Sequence, residues 1–251
     1  MRCFDDHPGL TWAFMFAHPD DELALGGWIN HLVSVGARVW MCWAHATPER
    51  REEALEAADY LGLEEGCCRF GDNADGRFIH ELLNLDTWVN DIVEETCADR
   101  FVSPAFEQGH LDHDALHFAV HRWTGAKHFE FPMYWHYAAR WQRIGEFSDS
   151  THEEIWALDV PHADLKRAMP RIYRSQSVAR NVAGYEFFTK LLKGSSPLFE
   201  VERMRHVRHP NYLQPTHPEP ALSKIRSSKP WRQWEIAMDQ WVASAGDPNW
   251  S

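Results

Sequence analysis

Trp12-Ala13-Phe14-Met15-Phe16-Ala17-His18-Pro19-Asp20-Asp21-Glu22 is the stretch that decides the fold. Its apolar part, residues 11–17, has the length and uniformity of a strand buried on both faces, and Pro19 closes it. One imidazole and three carboxylates follow within five residues. A strand ending in such a cluster delivers acids and a base to a sheet edge. In open α/β sheets, ligands bind outside the carboxyl ends of the strands. Adjacent acids repel one another unless a cation or a bound proton compensates, and a metal ion is the simplest compensation.

The pattern repeats outward from this stretch. Glu22 to about Val35 reads as a helix, with Leu25, Trp28, Ile29 and Leu32 on one stripe and Gly36 at its end. Arg38–Trp43 is a second apolar strand, and Ala44-His45-Ala46-Thr47-Pro48 is its loop. A helix from Glu49 to Leu61 follows, stopped by Gly62. Cys67–Phe70 makes a third strand, leading into the turn-rich Gly71–Gly76. Leu82–Thr96 is a third helix, and Arg100–Ser103 a fourth strand that runs toward Gly109-His110-Leu111-Asp112-His113. This alternation predicts a three-layer, Rossmann-like, mostly parallel sheet with helices on both faces. Both chemically loaded segments follow strands, so both fall on one carboxyl edge.

Beyond Lys127 the pattern weakens. Strands are expected at 129–132 and 154–160, and helices at 163–173 and 184–192. From His206 the sequence is rich in Pro, His and Trp with weak periodicity, and reads as a cap wrapped on the core. Residues 1–251 are expected to form a single domain, with 177–251 a C-terminal extension packing on the core.

Composition narrows the function classes. A formal charge of −12 is the wrong sign for a phosphate-binding face, which argues against a nucleic-acid partner. No apolar run approaches the roughly 20 residues of a membrane span. The start carries acids where a secretory signal has its apolar region. The five cysteines are odd in number and form no C-x-x-C pair, which suits free thiols in a reducing cytoplasm. The Gly-rich signature of a dinucleotide site is absent after the first strand.

A catalytic zinc site uses three protein ligands drawn from imidazole nitrogen and carboxylate oxygen, with a position kept for water. His18 and Asp21 can turn toward one point but do not complete a site. The second segment offers His110, Asp112, His113 and Asp114. One imidazole taken from it gives the set His18, Asp21 and His113, with Asp20 and His110 left unligated nearby. Asp20 then suits a general base. His110, protonated and oriented by Asp112, suits the oxyanion partner and proton donor. Singly, the acids Asp20–Glu22 also fit a helix N-terminus; two such clusters after two strands are hard to explain by capping.

His18-Pro19-Asp20-Asp21-Glu22 with His110-Leu111-Asp112-His113 resembles the PIG-L/LmbE-like family of metal-dependent N-acetylglucosamine deacetylases. The resemblance implies His18, Asp21 and His113 as ligands of Zn²⁺, with Fe²⁺ or Co²⁺ as alternatives. It makes Asp20 the base and His110 with Asp112 the remaining catalytic groups. It extends through Gly26-Gly27, Arg50, Glu53, Ala57 and Leu61-Gly62, through Gly71-Asp72 to Asp75-Gly76, and through Lys166, Tyr173, Ser175 and Gln176. It implies sugar hydroxyls bound by Arg50 and Asp75, and a partner that is a small N-acetyl amino sugar conjugate. The sequence departs from the family at Leu111 (often Pro), at Ala44–Thr47, and at Gln108, where mycothiol-pathway members carry a Tyr that assists the oxyanion. The alternatives are a metal phosphoesterase, suggested by Gly71-Asp72-Asn73-Ala74-Asp75, and a non-catalytic sugar-binding protein. His45, the His117/His121 pair, and a candidate sugar-stacking strip at Trp135-His136-Tyr137 read at least as readily as structural residues.

Overall fold

A computed structural model describes residues 2–140, 143–194, 197–208 and 211–245. Its centre is a seven-stranded sheet. The strands are β1 Thr11–Phe16, β2 Arg38–Trp43, β3 Cys68–Phe70, β4 Arg100–Pro104, β5 His128–Phe131, β6 Glu154–Ala157 and β7 Val201–His206. Their spatial order is β3-β2-β1-β4-β5-β7-β6. The first five are parallel, with Thr11 opposite Arg38, Trp12 opposite Arg100 and Phe101 opposite His128. β7 runs antiparallel between β5 and β6.

Strand alternation splits the core into two faces. Trp12, Phe14 and Phe16 of β1, with Val39, Met41 and Trp43 of β2, pack beneath α1 (Gly26–Ser34), α2 (Pro48–Tyr60) and α5 (Val160–Ala168). Ala13, Met15, Trp40 and Cys42 face the other way, toward α3 (Leu82–Thr96), α4 (Leu111–Thr124) and α8 (Lys229–Ala245). Helices therefore cover both faces of a mostly parallel sheet. No helix among the described residues is long and apolar enough to cross a membrane. All five cysteines are free thiols.

Several elements differ from the sequence reading. The expected helix from Glu22 is two pieces, a 3₁₀ turn at Asp21–Ala24 and then α1 from Gly26. The break is set from far away: Glu202 on β7 accepts the N–H groups of Gly27 and Trp28 at 2.9 and 2.8 Å, supplying a cap for α1 from another strand. β7 itself has no counterpart in the sequence reading, because its polar, half-buried sequence is held by pairing on both sides. The tail contains α7 (Ala221–Arg226) and α8. α8 buries Trp231, Trp234, Met238 and Trp241 against Phe118 and Ile79, and their three- and four-residue spacing is a helical stripe present in the sequence. α6 (Val178–Lys193) begins and ends beyond the expected 184–192.

The strand order reverses between β1 and β4, which are adjacent. A crevice at such a switch point lies between loops that leave in opposite directions. The loops after β1 and β4 carry the two charged motifs.

Candidate metal centre

The loop after β1 is shaped by its own acids. Asp20 adopts φ 103°, a left-handed conformation costly for any residue with a side chain and best tolerated by Asp and Asn. Its N–H is held by Glu22 Oε2 at 3.0 Å, and Glu22 also accepts from Trp43 Nε1. Two basic side chains grip the ends of the turn. Arg50 Nη2 donates to the Pro19 carbonyl, and Lys166 Nζ donates to the Ala24 carbonyl at 2.7 Å. Asp21 and Glu22 do stand in the first turn of the 3₁₀ helix, but its N-cap Asp20 makes no side-chain capping hydrogen bond.

Asp21 is buried. Its Oδ2 accepts the N–H groups of Ala17 and His18 at 3.0 and 2.9 Å, which leaves Oδ1 aimed at His113 Nε2, 3.2 Å away. Burial raises its pKa, but His113 and His18 outweigh this and hold the carboxyl well below its usual range. His18, Asp21 and His113 offer donor atoms that lie within 4.8 Å of one another. All three are buried, and the set mixes two imidazoles with one carboxylate, a composition suited to zinc or a similar divalent ion. The field agrees with the donors. Burial works against a charge on His18, yet hydrogen bonds to Asp112 and Asp75 and the nearby Asp21 push its pKa up to about 10. These acids call for positive charge at that point, and a divalent cation supplies it. The residues present fit a metal.

The other expected residues fall around this set. Asp20 sits beside it, a quarter exposed, with Oδ1 3.3 Å from Arg50 Nη2. Burial and the Asp21 charge push its pKa up to about 7, against the pull of Arg50. Arg50, expected to bind sugar hydroxyls, is itself buried and spends its Nη2 on Pro19 and Asp20. Asp75 is exposed at the rim and reaches His18 Nε2 at 3.1 Å. With Asp112 it forms a second donor group that shares His18.

One expected relation is corrected. The sequence reading assigns the Asp112 carboxylate to orienting a protonated His110. That carboxylate instead binds His18 Nε2 at 3.1 Å and the N–H groups of Gly76 and Phe78 at 2.7 and 3.2 Å. His110 is the N-cap of α4: its Nδ1 accepts the Asp112 backbone N–H at 3.2 Å. A protonated Nδ1 cannot accept, so this bond selects the neutral ring with its proton on Nε2. Burial, then the neighbouring His113 and His18, pull the His110 pKa down to about 4. Its ring centroid lies 5.4 Å from that of His18 and 5.1 Å from that of His113.

Residues 13–124 match the family model of PIG-L, GlcNAc-PI de-N-acetylase. Over that stretch, a little under half of its length, the chain is similar to PIG-L. No curated protein matches it in sequence. Solved structures share the fold. A deacetylase triple mutant from the teicoplanin biosynthetic pathway is 17% identical, with 78% of this chain and 97% of that chain covered at a TM-score of 0.61. A conserved protein of Thermus thermophilus is 19% identical, covering 81% and 97% at 0.58. The N,N'-diacetylchitobiose deacetylase of Pyrococcus horikoshii is 15% identical, covering 84% and 88% at 0.54.

The departure at Gln108 has a structural reason. Gln108 is fully buried and turned to the C-terminal extension, where its Oε1 accepts from Thr216 N and Oγ1 at 2.9 and 3.1 Å. A tyrosine stands nearby from another element. Tyr134, just past β5, stacks on His113 with centroids 5.6 Å apart and planes at 11°. It lines the same cavity as Asp20. Burial and the charges of Asp20 and Asp21 raise its pKa. Gly109 is required by this arrangement, because a Cβ there would lie 2.4 Å from the Tyr134 carbonyl oxygen. Sequence reading missed Tyr134, which no motif marks.

The remaining candidates make contacts within the fold. His45 Nδ1 is hydrogen-bonded to the Asn73 carbonyl at 2.6 Å. His117 is buried, its Nδ1 on the Pro104 carbonyl at 3.0 Å. Trp135 lies under Arg143, and His136 packs edge-on against His217. Glu53 of α2 accepts from Ser175 ahead of α6, and Lys166 of α5 pairs with Glu202 of β7.

Proposed function

We propose that the chain is a metal-dependent amide hydrolase that removes the acetyl group from an N-acetylated amino sugar conjugate. The observation that carries this reading is the convergence of His18, Asp21 and His113 within 4.8 Å, from loops after two adjacent strands. Asp20 stands next to them without being a member of the set. The family match over residues 13–124 supports the acetamido substrate class.

His18, Asp21 and His113 would hold the ion, with Zn²⁺ the first candidate. When bound, it supplies Lewis-acid polarisation of the substrate carbonyl and a lowered pKa for water. The chain's own groups do the rest. Asp20, held by Arg50 yet partly open to the cavity, takes a proton from the attacking water. The water oxygen bonds to the carbonyl carbon, and the neutral His110 donates its Nε2–H to the oxygen that gains charge. The C–N bond then breaks. The proton held by Asp20 passes to the departing nitrogen, leaving a free amine and acetic acid, which ionises to acetate. Tyr134, whose hydroxyl has no hydrogen-bond partner among the described residues, is a further donor on the same side. Asp112 acts on His18 rather than on His110, fixing the ligand's ring through its hydrogen bond.

The test is acetate release from N-acetylglucosamine conjugates, with metal content measured in parallel. Release that stops with a chelator and returns with Zn²⁺ supports the reading. Phosphate release from phosphomonoesters without acetate release moves the function to the phosphoesterase class. Tight sugar binding with neither product leaves a binding protein.

A further inference from the structure

The cavity that Asp20 faces is not built like a sugar site. Its wall is Leu23 from the 3₁₀ turn, Met133 after β5, Ile144, Val182 of α6, and Leu198 and Phe199 ahead of β7. Sugar recognition needs several convergent hydrogen-bonding groups, and the polar residues here are committed elsewhere. Lys166 and Glu202 are paired at 2.9 Å; Lys166 also holds Ala24, and Glu202 also caps α1. Arg203 is tied to Glu153 through Nη1 at 2.6 Å, and its Nε has no partner among the described residues. The open polar groups, Asp20 and Tyr134, stand together at one end. Across the metal centre the character reverses. There the loops after β2 and β3 present His45, Asp72 and Asp75, polar and partly exposed.

We propose that this cavity takes an apolar group of the substrate, a short alkyl or aryl chain joined close to the scissile amide. The polar, sugar-like part then lies on the His45–Asp75 side. This rests on the amide-hydrolase reading and sharpens it: the substrate is an amphiphile, and a bare hydrophilic amino sugar uses only half the site. The apolar group has two chemical sources. It is either the acyl group on nitrogen, which makes the enzyme a deacylase of longer amides, or a substituent on the sugar.

Two substrate series separate these. One is glucosamine carrying N-acetyl, N-butyryl or N-hexanoyl groups. The other is methyl, butyl or hexyl 2-acetamido-2-deoxyglucoside. Each methylene buried in the cavity should raise kcat/KM about fourfold in one series, the equivalent of about 0.8 kcal/mol per CH₂. Calorimetry of hexanoate and of the hexyl glycoside gives the same comparison as binding, independent of turnover. Val182→Asp should flatten the rising series. Val182→Phe, which fills the cavity and keeps it apolar, should cut the series off at a shorter chain, and thermal melting identifies a variant that does not fold. Flat responses in both series and in calorimetry overturn the proposal, as does a chain-length gain that survives both Val182 variants. Chain-length-dependent binding that Val182→Asp abolishes, with no amide cleaved, leaves the apolar site standing and removes the hydrolase reading instead.

Discussion

The two walls of the candidate site are made in different ways. On one wall His18, Asp20, Asp21, His110 and His113 come from two short segments, each following a central parallel strand. On the other wall Tyr134, Ile144, Val182 and Phe199 come from four separate segments, joined through the antiparallel β7. Chemistry that needs donors within a few ångströms is served by neighbours in sequence, whose spacing the backbone fixes. A cavity needs only shape and apolarity, so its parts can be spread along the chain and changed one at a time. The metal wall should therefore fail abruptly under single substitutions and the cavity wall by degrees.

The sharpest break comes at the metal wall. His113→Ala should lose the metal, measured by elemental analysis, and with it essentially all turnover. Asp20→Asn should retain the metal and lose about 10²–10⁴-fold in kcat, the usual value of positioned acid–base help. A metal-replete His113→Ala protein would defeat the ligand assignment, and an active Asp20→Asn would remove Asp20 as the base.

Stability provides the next contrast, at the joint between the walls. Glu202 compensates buried Lys166 and caps α1, whose start adjoins the Asp20 turn. Removing one member of a buried pair leaves a charge without compensation, a loss of about 3–5 kcal/mol. Glu202→Gln should unfold earlier in denaturant by that amount, and Lys166→Met added to it should recover part of the loss. Equal stability of Glu202→Gln and wild type would mean that the turn is held by its own hydrogen bonds alone. Tyr134→Phe should act more gently. Loss of one hydrogen bond to a charged oxygen is worth roughly 10- to 100-fold, seen in kcat with metal content and melting temperature unchanged. A change in KM alone would place the hydroxyl on the ground-state substrate.

How much of this was legible follows from the same division. β1, β2 and α3 lie where the apolar runs and stripes put them, and β1 and β4 bring His18 and His113 together as their motifs suggested. The sequence did not show that His110 would spend its Nδ1 on the Asp112 N–H, because histidine is not among the residue types that mark an N-cap. Nor did it show Glu202 capping α1, Gln108 bonding Thr216, or Tyr134 stacking on His113. Each of those pairs residues remote in sequence through contacts that leave no periodic trace. α8 is a different case. Its Trp231, Trp234, Met238, Trp241 stripe was readable, and the surrounding Pro- and His-rich composition obscured it.

The smallest expected effect concerns pH and the loop after β4. Glu107, after β4, is buried with Oε1 accepting from Ser148 N and Oγ at 2.8 and 2.7 Å. Its Oε2 has no partner among the described residues, which suits a protonated oxygen. Burial pushes its pKa up to about 7, against Arg205 and Ser148. The folded state therefore holds this proton more tightly than the unfolded chain does. The stability it contributes is full below the unfolded value near 4.5 and is lost as pH rises through about 7. Glu107→Gln keeps the shape and removes the titration, so its stability relative to wild type should improve between pH 5 and pH 8. Denaturant melts at the two pH values measure this directly. A difference that stays constant across that range would mean Glu107 is ionised throughout, stabilised by Arg205, whose Nη2 lies 3.8 Å from Oε1. In that case the loop between β4 and the metal ligands would be held by an ion pair, and breaking it should disturb His113 more than any change on the apolar wall.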